Sequence, residues 1–236
     1  MKGNINSIET MGLVDGPGIR IVIFLQGCPL RCLFCHNPET WSKVENQSMT
    51  PEEILKKVLR YKNYFGKNGG VTFSGGEPLL QPEFLLETLK LCKENHINTA
   101  LDTSGVNNYT GNKEEILKYV DLVIWDIKAI DKEGYKKMTS KEIDESLEFL
   151  ALCQKLKKKM WLRQVIVPGI NDTKEYILKL KEFIKPLKNI EKVELLPYHV
   201  LGVEKYKKMG LKYRLDGVKA MDVERCKKLE QILLDK

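Results

Sequence analysis

The amino-acid sequence predicts an α/β fold: an open, partial TIM-type barrel of about six β/α units, with a parallel sheet inside and helices outside. Three observations predict it. Short runs rich in β-branched residues alternate with helix-period segments from end to end, the pattern of strands joined by crossover helices. Apolar residues make up 42% of the 236 residues, enough for a sizeable core and too many for a disordered chain. Six units fall short of the eight, typically about 250 residues, that close a full barrel.

The first strand is read from Ile19-Arg20-Ile21-Val22-Ile23-Phe24-Leu25, bounded by Gly18 and Gly27. Thr50-Pro51-Glu52-Glu53 starts a helix: Thr50 caps, Pro51 suits the first position and Glu53 closes a capping box. Ile54, Leu55, Val58 and Leu59 follow at helical spacing. Val71–Ser74 is the second strand, and Pro82–Glu94 is a helix with Leu85, Leu86 and Leu89 inward. Thr99–Asp102 is the third strand, followed by a helix from about Lys113 behind Asn112. Leu122–Asp126 is the fourth strand, followed by a helical stretch running as far as Leu156. Trp161–Val167 is the fifth, halted by Pro168-Gly169. Asp172-Thr173-Lys174-Glu175 opens the next helix, with an acid at the third position. Val193–Leu196 is the sixth strand, ended by Pro197, and an amphipathic helix over about Asp222–Leu234 carries Val223, Cys226, Leu229 and Ile232. No repeat, low-complexity tract or linker divides the chain, so residues 1–236 read as one domain.

Composition narrows the partners. Lys+Arg 39 against Asp+Glu 32 gives a net charge of +7, which permits an acidic partner without demanding nucleic acid. Lys155, Lys157, Lys158 and Lys159 read as a solvated helix C-terminus that complements the helix dipole, since no aromatic residues interleave with them. No apolar run is long enough for a membrane span, and Met1–Ser7 lacks the apolar core of a signal peptide. The expectation is a cytoplasmic protein whose six cysteines meet a reducing environment, so that metal binding or catalysis outranks a disulfide framework.

Cys28-Pro29-Leu30-Arg31-Cys32-Leu33-Phe34-Cys35-His36 is the most informative stretch. Three thiols within eight residues, in a loop just after the first strand, suit zinc or an iron–sulfur cluster. The next cysteine is Cys92, so three ligands on a four-iron cluster would leave one iron open to a small molecule. Structural zinc held by Cys28, Cys32, Cys35 and His36 is the open alternative at this point. Cys92, Cys153 and Cys226 each continue an apolar helix stripe and read as small hydrophobes.

Ligands of parallel β/α folds sit at the C-terminal ends of the strands. The strand exits here are Ser74-Gly75-Gly76-Glu77-Pro78, Asp102-Thr103-Ser104-Gly105, Asp126-Ile127-Lys128, Val167-Pro168-Gly169 behind Arg163, and Pro197-Tyr198-His199. Each residue alone has an ordinary structural reading. Their recurrence on the rim that carries the cysteines points to a site.

Cys28-x3-Cys32-x2-Cys35, with aromatic Phe34 before the last cysteine, resembles the signature of the radical S-adenosylmethionine (SAM) enzymes. Asp15-Gly16-Pro17-Gly18-Ile19-Arg20, Cys35-His36-Asn37, Ser74-Gly75-Gly76-Glu77, Leu101-Asp102-Thr103, Val167-Pro168-Gly169 and Leu195-Leu196-Pro197-Tyr198-His199 occur in the order seen in the glycyl-radical-enzyme activases, and the resemblance covers nearly the whole chain. It implies a [4Fe-4S] cluster on Cys28, Cys32 and Cys35, with the amino and carboxylate groups of SAM on the fourth iron. It places Gly75, Gly76 and Glu77 at the SAM amino group, with Phe34, Cys35 and His36 flanking SAM. Asp126, Ile127, Lys128 and His199 would lie near it, and Lys128 suits a carboxylate. Asp102, Thr103 and Asp126 resemble a site in which a monovalent cation, Na+ or K+, helps anchor SAM. Arg163 and Asp15 would position the cofactor or an incoming glycine peptide.

The implied reaction is reductive cleavage of SAM to methionine and a 5′-deoxyadenosyl radical, which takes hydrogen from a glycine Cα of a partner enzyme. The implied partners are a glycyl radical enzyme and an electron donor such as flavodoxin or ferredoxin, with no nucleic acid and no membrane. Phe34 stands where tyrosine is frequent, Pro78 where alanine occurs and Ser104 where asparagine is common; none is a ligating thiol. No cysteine lies between Cys35 and Val71, which favours activases without a ferredoxin-like insert. A radical SAM enzyme acting on a small molecule or RNA is a second alternative, opposed by the lack of any further cysteine cluster or added substrate domain.

Overall fold

The computed structural model describes residues 1–107 and 113–235. The chain opens with β1 (Gly3–Gly12), which pairs antiparallel with β2 (Arg20–Leu25) and, on its other edge, with β3 (Gln47–Met49). The alternation then runs α1 (Pro51–Arg60), β4 (Gly70–Gly75), α2 (Pro82–Glu94), β5 (Asn98–Thr103), α3 (Lys113–Lys118) and β6 (Leu122–Asp126). It continues with α4 (Lys132–Thr139), α5 (Asp144–Lys155), β7 (Lys159–Ile166), α6 (Lys174–Ile184), β8 (Ile190–Pro197), α7 (Val203–Lys208) and α8 (Val223–Leu234). One eight-stranded sheet results, in the order β3-β1-β2-β4-β5-β6-β7-β8. Neighbours from β2 to β8 are all parallel. The six-unit open barrel is therefore present, with an antiparallel N-terminal extension on one edge.

That extension was illegible in the sequence because a β-bulge between Ile5 and Ser7 breaks the period of two. Other corrections are local. The stretch expected to run as one helix to Leu156 is two helices, divided where Ser140 takes φ 63 and closes α4 as an αL cap. Lys155 ends α5, but Lys159 is already the first residue of β7, two residues before the expected start. Leu59 and Val223, placed in apolar stripes, are 38% and 52% exposed. At α6 the cap is Thr173 accepting from Tyr176 N–H, one position past Glu175, whose side chain pairs instead with Lys179. Asn112, expected to precede α3, lies outside the described residues. The capping box at α1 forms as read, with Thr50 and Glu53 exchanging bonds of 3.2 and 2.8 Å.

Two faces of the sheet do different work, because side chains alternate along a strand. Ile21, Ile23, Val71, Phe73, Leu101, Val123, Met160 and Leu162 share one buried cluster with helix residues such as Leu85, Leu89, Phe149 and Ile177. The opposite face packs Ala100, Leu122 and Ile124 against Trp161 in a smaller cluster inside the barrel. Two residues further along those same strands, at their C-terminal ends, the inner face becomes Asp102, Asp126 and Arg163. The apolar plug thus forms the floor of a polar cavity.

Candidate active site

The cavity, about 410 Å3, opens at the C-terminal ends of the parallel strands. Of the residues expected at the site, it is lined by Asp15, Cys28, Cys32, Phe34, Cys35, His36, Gly75, Gly76, Asp102, Thr103, Asp126, Lys128, Arg163 and His199. Ile127 and Glu77 do not line it. Ile127 is buried in the helix-facing core, and its backbone N–H donates to Arg163 O at 2.7 Å.

Glu77 is buried beneath the rim, where its carboxylate accepts from Thr103 Oγ1 (2.5 Å), Ser104 N–H (2.9 Å), Ser104 Oγ (2.6 Å) and Leu79 N–H (3.1 Å). It ties the exits of β4 and β5 together. A buried carboxylate with four donors is satisfied despite its lost hydration. The turn before it needs glycine. Gly75 has φ 108, and a Cβ on Gly76 would stand 2.1 Å from Gly27 O.

A charge relay crosses the rim strand by strand. Ser74 Oγ donates to Asp102 Oδ2 at 2.7 Å, and Arg163 Nη2 donates to Asp102 Oδ1 at 2.6 Å. Arg163 Nε reaches Asp126 Oδ1 at 3.3 Å, and Lys128 Nζ donates to Asp126 Oδ2 at 2.9 Å. Lys128 Nζ then stands 5.5 Å from the centre of the Phe34 ring, within cation–π range. Burial lowers the Lys128 pKa, but Asp126 outweighs it and the ammonium ends above the usual lysine value. Burial likewise opposes Asp126, yet Lys128 and Arg163 prevail and hold its carboxyl below the usual range. Every side-chain oxygen expected to hold a monovalent cation is thereby engaged: those of Asp102 and Asp126 by Arg163, Lys128 and Ser74, and that of Thr103 by Glu77.

The cysteine loop is braced from three sides. Leu33 N–H donates to Met138 O (2.9 Å) and Arg31 N–H to Thr139 O (2.8 Å), which pins it to the end of α4. Arg31 Nη1 donates to the carbonyls of Cys28 (2.9 Å) and Leu30 (2.8 Å). Tyr206 Oη donates to Cys35 O (3.2 Å), and Lys205 Nζ donates to Asn37 Oδ1 (2.9 Å) and Glu39 Oε1 (2.5 Å). The rings of His36 and His199 stack at 3.6 Å and 12°, with His36 Nε2 3.2 Å from His199 O.

All three thiols are free. Burial pushes the Cys32 thiol up to about 11 and raises Cys28 and Cys35 as well, so iron would bind them with release of protons. Three soft sulfurs from one loop, facing a polar cavity, fit a cubane whose thiolates each take a different iron. Structural zinc fits less well. No group of three or more His, Cys, Asp or Glu among the described residues converges on a single ion, and His36 is held against His199.

Sequence reading missed some of the lining. Phe24 and Val165 face the cavity by strand alternation, a signal the sequence does carry. Thr40 and Trp41 follow the cysteine loop closely. Lys205 and Tyr206, more than 160 residues from the loop they brace, left no local signal.

The fold and the site define a radical SAM protein. The Radical SAM superfamily model matches residues 22–184, and the chain belongs to that family. Its relatives include the pyruvate formate-lyase-activating enzyme of Clostridium pasteurianum, 56% identical over 99% of this chain and 98% of that one. The enzyme of the same name from Staphylococcus epidermidis is 46% identical over 96% and 93%. Among solved structures, a domain of the pyruvate-formate lyase-activating enzyme from Bacteroides vulgatus superposes with TM-score 0.57 at 27% identity, covering 71% of this chain and 94% of that one. Streptococcus suis SuiB bound to precursor peptide SuiA superposes with TM-score 0.67 at 20% identity, over 95% of this chain and 46% of that one, a likeness of fold alone.

Proposed function

We propose that this chain is a single-domain activase that installs a glycyl radical in pyruvate formate-lyase. The observation that carries it is the opening of three free thiols and a buried Lys–Asp–Arg relay into one cavity, in a chain 56% identical throughout to an enzyme of that name. Cys28, Cys32 and Cys35 would hold a [4Fe-4S] cluster, leaving one iron for the amino and carboxylate groups of SAM. When bound, cluster and SAM supply a one-electron cleavage that yields methionine and a 5′-deoxyadenosyl radical.

The chain's own residues bind, orient and exclude. Lys128 and Arg163 are the cations at the cavity wall, suited to the SAM carboxylate. The Gly75-Gly76 turn brings backbone close to the SAM amino group, with Glu77 beneath it as a strut and Ile127 anchoring the neighbouring strand exit. Phe34, His36 and His199 offer flat surfaces for the adenosyl portion. A monovalent cation at Asp102, Thr103 and Asp126 would enter only as Arg163 and Lys128 turn toward SAM.

Asp15 enters the cavity from the β1–β2 turn. Its carbonyl accepts from Thr72 Oγ1 at 2.6 Å, and Thr72 Oγ1 accepts from the fully buried Arg20 Nε at 2.7 Å. We assign it to the incoming glycine segment, which must be held in contact before cleavage and shielded from water. The electron would come from a carrier such as flavodoxin or ferredoxin, and the setting would be cytoplasmic. No helix among the described residues is long and apolar enough to cross a membrane.

The test is anaerobic reconstitution followed by metal analysis and electron paramagnetic resonance. Iron and sulfide near four per chain are expected, with a glycyl radical on adding reductant, SAM and pyruvate formate-lyase. Zinc near one per chain without sulfide, or a radical only in some other glycyl enzyme, would overturn the assignment.

A further inference from the structure

We propose that Trp41 is a positioning residue for the cluster: clasped between Arg31 and Tyr206, it holds its indole N–H toward the sulfur of Cys35 and raises the reduction potential. The inference rests on the cluster reading above and concerns a side chain outside the thiol ligands.

The backbone that carries Trp41 is fixed first. Pro38–Trp41 is a single short helical turn just after the cysteine loop. Thr40 N–H and Thr40 Oγ1 both donate to Asn37 O, at 2.9 and 2.7 Å, and Thr40 O accepts from Gly27 N–H at 2.8 Å. The turn is thereby tied to the segment that leaves β2.

The half-buried indole, which lines the cavity, is then held by two groups that also hold the cysteine loop. The Arg31 guanidinium lies over the ring, 5.0 Å from its centre, and bonds the carbonyls of Cys28 and Leu30. Tyr206 meets the indole edge-on at 5.6 Å and 84°, and its hydroxyl donates to Cys35 O. The clasp thus spans the loop from Cys28 to Cys35, and the indole cannot swing away without breaking it.

The three sulfurs are served differently. Cys28 receives a backbone N–H from Leu30, and Cys32 is balanced by the charge of Lys128. Cys35 receives a backbone N–H from Asn37 and, from a side chain, the indole N–H of Trp41. A hydrogen bond to sulfur strengthens as the sulfur gains negative charge. An electron added to a cluster is shared with its ligand sulfurs, so the bond favours the reduced form. The electron comes from the one-electron carrier; Trp41 neither gains nor loses one, and its proton stays on the ring nitrogen.

The test is spectroelectrochemical titration, without SAM, of the anaerobically reconstituted parent, Trp41→Phe and Tyr206→Phe. Trp41→Phe keeps an aromatic ring under Arg31 and removes the donor. Tyr206→Phe keeps the indole and removes the bond to Cys35 O. Trp41→Phe should load iron and sulfide as the parent does, and its equilibrium constant for reduction should fall about tenfold, a shift of about 59 mV to more negative potential for one electron. Tyr206→Phe should stay near the parental potential. An unchanged potential in Trp41→Phe, or an equal shift in both variants, would overturn the proposal. Failure of Trp41→Phe alone to load iron would make the indole a packing residue and overturn it too. Failure of the parent to load iron would overturn the cluster reading instead, so the two outcomes stay separate.

Discussion

Arg163 Nη2 lies 2.6 Å from Asp102 Oδ1 although β6 separates their strands in the sheet, and each side chain is only 9% exposed. The guanidinium spans β6 and at the same time reaches that strand's own Asp126. Burial opposes the charge, but Asp102 and Asp126 outweigh it and hold the Arg163 pKa above its usual value. A buried pair of this kind is strongly destabilising when one partner is removed. Arg163→Met should lower unfolding stability by about 3–5 kcal/mol, read from urea denaturation, because Asp102 is left buried without its cation. An unchanged denaturation midpoint would show that Asp102 is neutral in the folded state.

Lys128→Ala should leave cluster assembly intact and weaken SAM binding by about tenfold or more, the worth of a hydrogen bond to a charged group. Iron content and absorbance report the first, and calorimetry with SAM reports the second. Unchanged SAM affinity would remove Lys128 from the carboxylate site.

Cys32→Ala should lose both the brown absorbance and SAM cleavage, since two thiols cannot replace three. The variant should nevertheless stay folded by circular dichroism, because the loop is also pinned through backbone bonds to Met138 and Thr139. Retention of full iron and sulfide after anaerobic reconstitution would refute the ligand assignment.

Glu77→Ala should destabilise the fold by about 3 kcal/mol or more, since four buried donors lose their acceptor. SAM affinity should fall with it, as the exits of β4 and β5 part. Glu77→Gln should recover part of both. Full stability in the alanine variant would mean that water takes the place of the carboxylate.

Burial, and then the nearby Asp102, raises the Asp15 carboxyl from 3.8 to about 6. The folded state therefore binds a proton that the unfolded chain has already lost between those values, and this contribution to stability declines as pH rises from about 3.8 to about 6. Asp15→Asn should accordingly be more stable than the parent at pH 7.5, with little advantage at pH 3.5. In activity, Asp15→Ala should spare SAM cleavage without substrate more than it spares glycyl-radical formation. Equal losses in the two assays would argue against a role at the peptide.

The alternation of elements, the six parallel strands, the thiol loop and nearly all of the rim are legible in the residues alone. Those signals are local: β-branched runs, Thr50 and Glu53 three apart, three cysteines within eight residues. They do not reveal β1 or the break at Ser140, because a bulge and a single αL residue leave no periodic trace. How the rim residues divide follows from packing in three dimensions. Glu77 and Lys128 both follow strand exits in sequence, yet Glu77 turns under the rim to meet Ser104 and Lys128 reaches over it toward Phe34. The same packing makes Asp102 and Asp126 share one arginine and sets Tyr206 to hold the loop bearing Cys35. Such pairings depend on which strands lie side by side and how the barrel curves, and that is set by packing across the whole sheet, which no window of residues contains.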